Sequence, residues 1–453
     1  MGISNLLPQL KSITVESKLQ SFKGQTIAVD GYVWLHRGVY SCSQELCLGQ
    51  ESDRYVAYFM ERVDFLLKCG IHPYIVFDGG FLPMKKLKED ERRASREKHH
   101  AAGVEYLKAK NLEMARQSFI KAVDVSPYMA HRVIQSLKKK GVKYVVAPYE
   151  ADAQMAFMVR AGLVDAVISE DSDCLPYGCK KVLFKMDQYG SVEVIDMISL
   201  AKNKTLSFVG FTDDMFLDMC ILSGCDYVAS IPGLGIKKSH GLILRYGSYQ
   251  KVVRALRLEG KMAIAKSYEN DVAQARWTFR HQRVYDPVTQ TLVHVTPLPA
   301  ALIGQNTDFL GPVISNELAK GIAEGEIDPI TEALFTHTPL LPAPASMATD
   351  KMETPMKPST TNPPSSESSA TSYKTPDAEK ENAFTRLLHA GSLMPAMTTK
   401  RKQPRESHSY PLANKRLVLQ TSSTTPPIVS VRDLLCIACL YGIVVYVHLQ
   451  TFL

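Results

Sequence analysis

The stretch Ala147-Pro148-Tyr149-Glu150-Ala151-Asp152-Ala153-Gln154 decides the fold. It follows Val142-Lys143-Tyr144-Val145-Val146, a short apolar run that predicts a buried strand, and Pro148 ends that strand. The residues from Ala153 to Met158, rich in Ala, Gln, Met and Phe, predict a helix. Glu150 and Asp152 then stand on a strand-to-helix turn at the carboxyl edge of a sheet, where open α/β sheets build their sites. Two carboxylates so close in sequence repel unless something positive lies between them. On its own, the stretch reads equally well as the acidic first turn of a helix.

The pattern repeats, and repetition favours a site. Thr26-Ile27-Ala28-Val29-Asp30 and Tyr74-Ile75-Val76-Phe77-Asp78 are apolar runs ending in Asp. Ala166-Val167-Ile168-Ser169-Glu170-Asp171-Ser172-Asp173 ends in an acidic cluster, and Ser223-Gly224-Cys225-Asp226 places another Asp after the helical segment Met215 to Leu222. If these strands are parallel neighbours, their terminal carboxylates converge on one edge. Left without cations they would destabilise the fold strongly, and hard divalent ions would neutralise them. Carboxylate and water oxygens suit Mg²⁺ or Mn²⁺ rather than zinc.

Two further stretches carry positive charge. Met84 to Lys98 holds seven basic and four acidic side chains and lacks a broad apolar stripe, so it is not expected to lie flat on a core. As a bare pattern it is a solvated helix laced by i,i+4 pairs; its place after a strand-end Asp favours a role at the site. Ile231-Pro232-Gly233-Leu234-Gly235-Ile236-Lys237-Lys238-Ser239 joins two short helices. Its glycines let backbone N–H groups approach a phosphate, and Lys237 and Lys238 add positive potential beside a helix N-terminus. Pro232 removes one donor there.

Composition sets wider bounds. A chain of 453 residues exceeds one compact core with short termini. A net charge of +7 permits a polyanionic partner without requiring one. Nine cysteines show no disulfide framework, Cys436 and Cys439 have no second pair to complete a zinc site, and Met1 to Leu10 holds no long apolar run. A reducing intracellular compartment is the expectation.

Met1-Gly2-Ile3, Asp30-Gly31, Phe77-Asp78-Gly79, Tyr149 to Gln154, Glu170-Asp171-Ser172-Asp173 and Gly224-Cys225-Asp226-Tyr227 together resemble the structure-specific 5′ nucleases. That superfamily includes flap endonuclease and the xeroderma group G nuclease, and the likeness is greatest to its exonuclease 1 group. It covers about residues 1 to 340. It implies an α/β fold: a mostly parallel, twisted, PIN-like sheet flanked by helices, with a helical arch and a helix–two-turn–helix. The catalytic domain would span 1–335, with an N-terminal region at about 1–99, an internal region at about 138–230 and the helix–two-turn–helix at about 223–248.

By resemblance, Asp30, Asp78, Glu150, Asp152, Asp171, Asp173 and Asp226 hold two Mg²⁺, with Mn²⁺ as a substitute. Lys85 and Arg92 contact the reacting phosphate from the arch, with Arg93 a neighbouring candidate. Gly2, Tyr32 and His36 lie near the scissile phosphate; a Tyr or His on an apolar helix serves equally well as core. Gly233, Gly235, Lys237 and Lys238 grip duplex backbone, and Ser223, Ser230 and the Leu234 carbonyl form a potassium site. The implied activity is Mg²⁺-dependent 5′-to-3′ digestion of double-stranded DNA, with 5′ flap cleavage, in DNA repair. The alternatives are a strict flap endonuclease, whose usual clamp-binding motif is not found here, and a non-catalytic DNA-end scaffold, which would be expected to lack some of the carboxylates. The implied partners are double-stranded DNA with 5′ ends, nicks, gaps or flaps, and mismatch-repair proteins that dock on a tail longer than this one. A nuclear monomer without a small-molecule cofactor is expected.

Beyond the core, 336–427 holds 13 of the 25 prolines amid Ser, Thr and Lys, and a disordered tail is expected there. Four Thr-Pro pairs are candidate kinase sites, Lys400 to Arg405 is a candidate nuclear import signal, and Phe384, Leu387 and Leu388 are a candidate docking motif. The apolar segment 428–453 is read as an atypical terminus in preference to a membrane anchor, because His448 and Gln450 interrupt it.

Overall fold

The computed structural model describes residues 2–335. The expectations for 336–427 and 428–453 fall outside those residues. Nine strands form: β1 (Thr14–Lys18), β2 (Thr26–Asp30), β3 (His72–Phe77), β4 (Lys143–Val146), β5 (Ala166–Ile168), β6 (Lys181–Phe184), β7 (Ser191–Asp196), β8 (Arg283–Asp286) and β9 (Thr291–His294). The first seven make one sheet in the order β1-β7-β6-β5-β2-β3-β4. The run β6-β5-β2-β3-β4 is parallel, while β7 is antiparallel to both β6 and β1.

The central strands are almost wholly apolar because both faces are covered. Ala28, Val76, Val145 and Val167 point into one core, and Val29, Phe77, Val146 and Ile168 into the other, following the two-residue period of a strand. Helices Gly31–Val39, Arg54–Lys68 and Pro127–Lys140 fill the second core, where Phe59 lies 5.4 Å from Trp34 and 5.9 Å from Phe77 between ring centres. Helices Ala151–Arg160 and Asp213–Leu222 fill the first, and helices Ile236–Tyr246, Tyr249–Glu259 and Tyr268–His281 extend it.

The chain runs outward from β2 through β3 to β4, then returns across β2 to place β5 on its other side. That reversal between β2 and β5 is a topological switch point, where loops from the two halves diverge and leave a crevice at the carboxyl ends of the strands. Register brings the ends level: Asp30 pairs with Val76, Val29 with Ile168, and Phe77 with Val146.

Three features go beyond the sequence reading. β1 was not foreseen; its exposed residues carry little apolar signal, and pairing with β7 defines it. Between helices Tyr268–His281 and Asn316–Ala323, β8 and β9 form a hairpin that no local pattern announces. Tertiary contact decides that hairpin: Val284 and Tyr285 are buried, and the Gln154 amide bonds the Tyr285 N–H and carbonyl at 2.9 and 2.6 Å. The arch is two helices, Lys86–Lys108, which extends well past the basic stretch Met84 to Lys98, and Leu112–Ala122. Lys110 adopts φ +59° and the Asn111 side chain caps the second helix by accepting from the Met114 N–H. Only Gly103 of the first arch helix is buried, and a Cβ there would press on the Phe119 ring.

Among the described residues no helix is long and apolar enough to cross a membrane.

The turns after β3 and β4 are locked together. The Gly79 N–H donates to the Tyr149 carbonyl at 2.6 Å and the Gly80 N–H to the Pro148 carbonyl at 2.9 Å. A Cβ on Gly79 would overlap the carbonyl oxygens of Ala147 and Pro148. Gly79→Ala should therefore cost about 1–3 kcal/mol, the usual range for overpacking a tight contact. Urea denaturation measures this; a midpoint equal to that of the parent would show that the two turns are not so tightly coupled.

Candidate functional site

Every candidate carboxylate lies at this carboxyl edge or on the segments folded over it. Asp30 closes β2; its Oδ1 accepts from the Val33 N–H at 3.3 Å and its Oδ2 from the Ser169 hydroxyl at 3.0 Å. Asp78 follows β3 and accepts from the Ala151 N–H at 2.7 Å, so the first turn of helix Ala151–Arg160 is tied to the neighbouring strand end. Asp152, on that turn, accepts from the Cys174 thiol at 3.2 Å. After β5 the loop folds on itself: Asp171 Oδ1 accepts from the Asp173 N–H at 2.9 Å, and the Ser169 hydroxyl oxygen accepts from the Asp171 N–H at 3.0 Å. Glu170, between them, pairs with Arg37 at 2.9 Å instead.

Lys85 and Arg92 reach into the same region. The Lys85 ammonium pairs with Glu150 and lies 3.6 Å from Asp226, and the Arg92 guanidinium lies 3.1 Å from Asp226. Arg92 is braced by Glu89 one turn earlier on the arch, at 2.5 Å. Arg93, in contrast, is exposed and pairs with Asp90, so the structure does not bring it to the carboxylates. Gly2 does reach them: a Cβ there would collide with the side chains of Asp171, Ser172 and Asp173. Tyr32 and Asp78 line one small cavity, and the His36 ring lies 6.3 Å from that of Tyr32.

Gly233, Gly235, Lys237 and Lys238 form a separate exposed turn leading into helix Ile236–Tyr246. Gly233 has φ +82°, a backbone conformation that favours glycine. Ser223 donates to the Cys220 carbonyl at 2.7 Å, Ser230 abuts Gly224, and Leu234 is buried with its N–H on the Ile231 carbonyl at 2.8 Å.

Electrostatics shows the strain of this gathering. Seven carboxylates face two cations, leaving a large negative excess. Burial, then the charge of Asp78, pushes the Asp30 carboxyl up to about 7. Burial pushes Asp78 up to about 6, although Lys85 opposes the shift. Burial and neighbouring carboxylates raise Asp152 and Asp173 well above the usual range, and burial raises Asp171. Burial pulls the Lys85 ammonium down, but Glu150, Asp152 and Asp226 outweigh it and hold the ammonium charged.

The donor set fits divalent cations. Asp173 Oδ1 and Glu150 Oε1 are buried and have no aligned hydrogen-bond donor among the described residues, and Glu150 Oε1 faces only the Lys85 ammonium. Oxygen-only donors of this kind suit Mg²⁺ or Mn²⁺. Among the described residues no three acidic, His or Cys side chains stand together as a group that could hold a metal ion by themselves. The arrangement is an open row that favours partly hydrated ions over a fully protein-coordinated one.

Several neighbours escaped the sequence reading. Tyr177 and Gln282 carry no local signal, while Tyr227 directly follows Asp226 in a quoted block. Their hydroxyl and amide groups surround Glu150. Burial, then the Glu150 charge, raises both tyrosines well above the usual phenol range, so they stay protonated donors.

The fold and site define an α/β protein with a carboxylate row at a topological switch point, overhung by a basic two-helix arch. Residues 1–99 match the XPG N-terminal domain and residues 141–226 the XPG I-region. Exonuclease 1 of Arabidopsis thaliana is 44% identical over 355 residues, covering 78% of this chain and 48% of that protein. Exonuclease 1 of Oryza sativa subsp. japonica is 46% identical over 335 residues, covering 74% and 40%. The DNA damage-inducible protein DIN7 of Saccharomyces cerevisiae is 33% identical over 313 residues, covering 68% and 72%. The chain belongs to the XPG family. It spans about half the length of the two Exonuclease 1 proteins.

A pH test follows from the raised carboxyls. An unfolded Asp titrates near 3.8, whereas folded Asp30 holds its proton to about 7. Between those values the folded state binds more protons, so unfolding releases them and stability falls as pH rises. In EDTA, the parent should lose thermal stability relative to Asp30→Asn as pH is raised from about 4 to 7. A parent that gains on the variant over this window would contradict the assignment.

Proposed function

We propose that this chain is a divalent-metal-dependent 5′-to-3′ exonuclease of double-stranded DNA that also cuts 5′ flaps, acting in nuclear DNA repair. The observation that carries the reading is the set of seven carboxylates at the switch point with Lys85 and Arg92 poised over them. The Exonuclease 1 relatives and the DNA damage-inducible relative support it. The unit responsible is 1–335.

Asp30, Asp78, Glu150, Asp152, Asp171, Asp173 and Asp226 would hold two Mg²⁺, or Mn²⁺, directly or through water. Two such ions, when bound, supply an activated water and neutralise charge on the leaving oxygen. Lys85 and Arg92 bind the phosphate to be cut and stabilise the charge that builds on it. Tyr32 and His36 meet the terminal nucleotide, where an aromatic face can stack on an unpaired base. Gly2 lets the chain start pack against the Asp171–Asp173 loop without displacing it. The exposed turn with Gly233, Gly235, Lys237 and Lys238 holds duplex backbone, and Ser223, Ser230 and the Leu234 carbonyl would take K⁺ there. These contacts address phosphates, so specificity comes from the shape of an interrupted duplex rather than from base edges.

The deciding assay offers end-labelled 5′-recessed and 5′-flap duplexes with Mg²⁺ or EDTA. The parent should release nucleotides from the recessed end only with Mg²⁺, and Asp173→Ala should release none. Lys85→Ala should lower turnover by roughly 10²–10³-fold, the usual cost of removing one charge-stabilising donor. Flap cutting alone would assign a strict flap endonuclease, and tight binding without cleavage a DNA-end scaffold.

Lys237→Ala and Lys238→Ala should each weaken duplex binding without regard to sequence. Each should also reduce the slope of log affinity against log salt by about 1. An unchanged slope would remove the turn from the DNA interface.

A further inference from the structure

Glu150 is presented to the cleft by one oxygen only. Oε2 accepts from the Tyr177 hydroxyl at 2.9 Å and from the Tyr227 hydroxyl. The Gln282 amide completes the set. In the orientation that satisfies both its ends, Nε2 donates to Glu150 Oε2 at 2.9 Å and to the Tyr177 hydroxyl at 2.6 Å, while Oε1 accepts from the Glu150 N–H at 3.2 Å. One oxygen thus meets three neutral donors, and the amide also holds the backbone of the same residue. The other oxygen, Oε1, is buried without an aligned donor and faces the Lys85 ammonium.

The donors are themselves fixed. Gln282 is fully buried, Tyr177 is 1% exposed and Tyr227 9%. The Phe279 ring lies edge-on to both tyrosines, at 4.8 and 4.9 Å between centres. Phe279 belongs to helix Tyr268–His281 and Gln282 follows its last residue, so that helix end forms the floor under Glu150. Phe279 and Gln282 lie beyond the residues matched by the XPG N-terminal domain and I-region. The two hydroxyls also lie in hydrogen-bond contact with each other, and each has a single proton, so both tyrosines point at Oε2 only while neither donates to the other. A second donor, from Gln282, then fills the Tyr177 lone pair.

We infer that Tyr177, Tyr227 and Gln282 are positioning residues that saturate Glu150 Oε2 and aim Oε1 alone at a divalent cation. Neutral donors leave the full negative charge on the carboxylate, and the asymmetry enforces coordination through a single oxygen. Without the clamp, the carboxylate rotates about its last bond and shares Lys85 between its two oxygens. Outer-shell partners of this kind commonly change metal affinity by about 10–100-fold. The inference rests on the metal-dependent reading above.

The test is Mn²⁺ binding by calorimetry to the full chain, without DNA, for the parent, Tyr177→Phe, Tyr227→Phe and Gln282→Leu. Thermal midpoints and duplex binding in EDTA are measured alongside. The expected result is a fall in affinity for the tighter Mn²⁺ by about 10-fold or more in each folded variant, with EDTA duplex binding unchanged. In turnover assays, the Mg²⁺ concentration for half-maximal rate should rise more than the maximal rate falls. A purely structural role would lower the thermal midpoint and leave Mn²⁺ affinity in the folded fraction unchanged, which would overturn the inference. The phenylalanine variants keep the ring packing on Phe279, so at least these should fold. A parent that binds no Mn²⁺ would sink the metal reading itself; a parent and variants that bind equally would sink only the positioning role.

Discussion

Charge crowding at the ends of β2, β3, β4 and β5 is the constraint to which the rest of the molecule answers. Two like charges about 4 Å apart repel by roughly 4 kcal/mol at an effective dielectric near 20. A domain has only about 5–15 kcal/mol of net stability in total. Seven ionised carboxylates at one sheet edge therefore cannot stand unaided. The protein responds in three ways. Protons are held on Asp30 and Asp78 toward neutral pH, and N–H groups of the next turns are spent on Asp78 and Asp171. The third response is to lower Lys85 and Arg92 over Glu150 and Asp226. None of these cancels the excess, and divalent cations are the remaining means of doing so.

The same constraint explains the arch. A helix as polar as Lys86–Lys108 gains almost nothing from a core, with Gly103 its one buried residue. Its stability comes from its partner Leu112–Ala122, through Phe119 against Gly103 and His100, and from the His100 Nε2 contact with the Cys47 carbonyl at 3.0 Å. Its foot is held by ion pairs to the carboxylates. The arch is thus anchored at one end by packing and at the other by the charges that define the site.

Much of this was legible in the sequence. Apolar runs ending in Asp announced β2 and β3, and the convergence of their carboxylates followed once the strands proved to be parallel neighbours. Other features depend on contacts that no local pattern encodes. Arg92 and Arg93 are chemically alike, but consecutive helix residues differ by about 100° in direction, so one meets Asp226 and the other turns back to Asp90. β8, Arg283-Val284-Tyr285-Asp286, carries no strand pattern of its own and is fixed by the Gln154 amide. Tyr177 and Gln282 are separated from Glu150 by 27 and 132 positions, and only the fold joins them.

That long-range joining bears on how the site holds its shape. The stretch from Ala147 to Gln154 is fastened by residues 282–312 at three points. Gln282 holds the backbone and carboxylate of Glu150, and Tyr285 takes both ends of the Gln154 amide. Tyr149 donates its hydroxyl to the Pro312 carbonyl, with its ring against Gly311. Arg283 secures that last loop by donating to the carbonyls of Thr307 and Gly311. Each fastening satisfies a buried polar group whose loss would leave a partner unpaired, at a cost of about 1–3 kcal/mol. Such contacts do not add independently, because loosening one frees the loop that carries the next. The strand-to-helix turn bearing Glu150 and Asp152 is therefore only as rigid as the packing of the helix and hairpin more than a hundred residues downstream, and the geometry of the carboxylate row is a property of the whole 2–335 body.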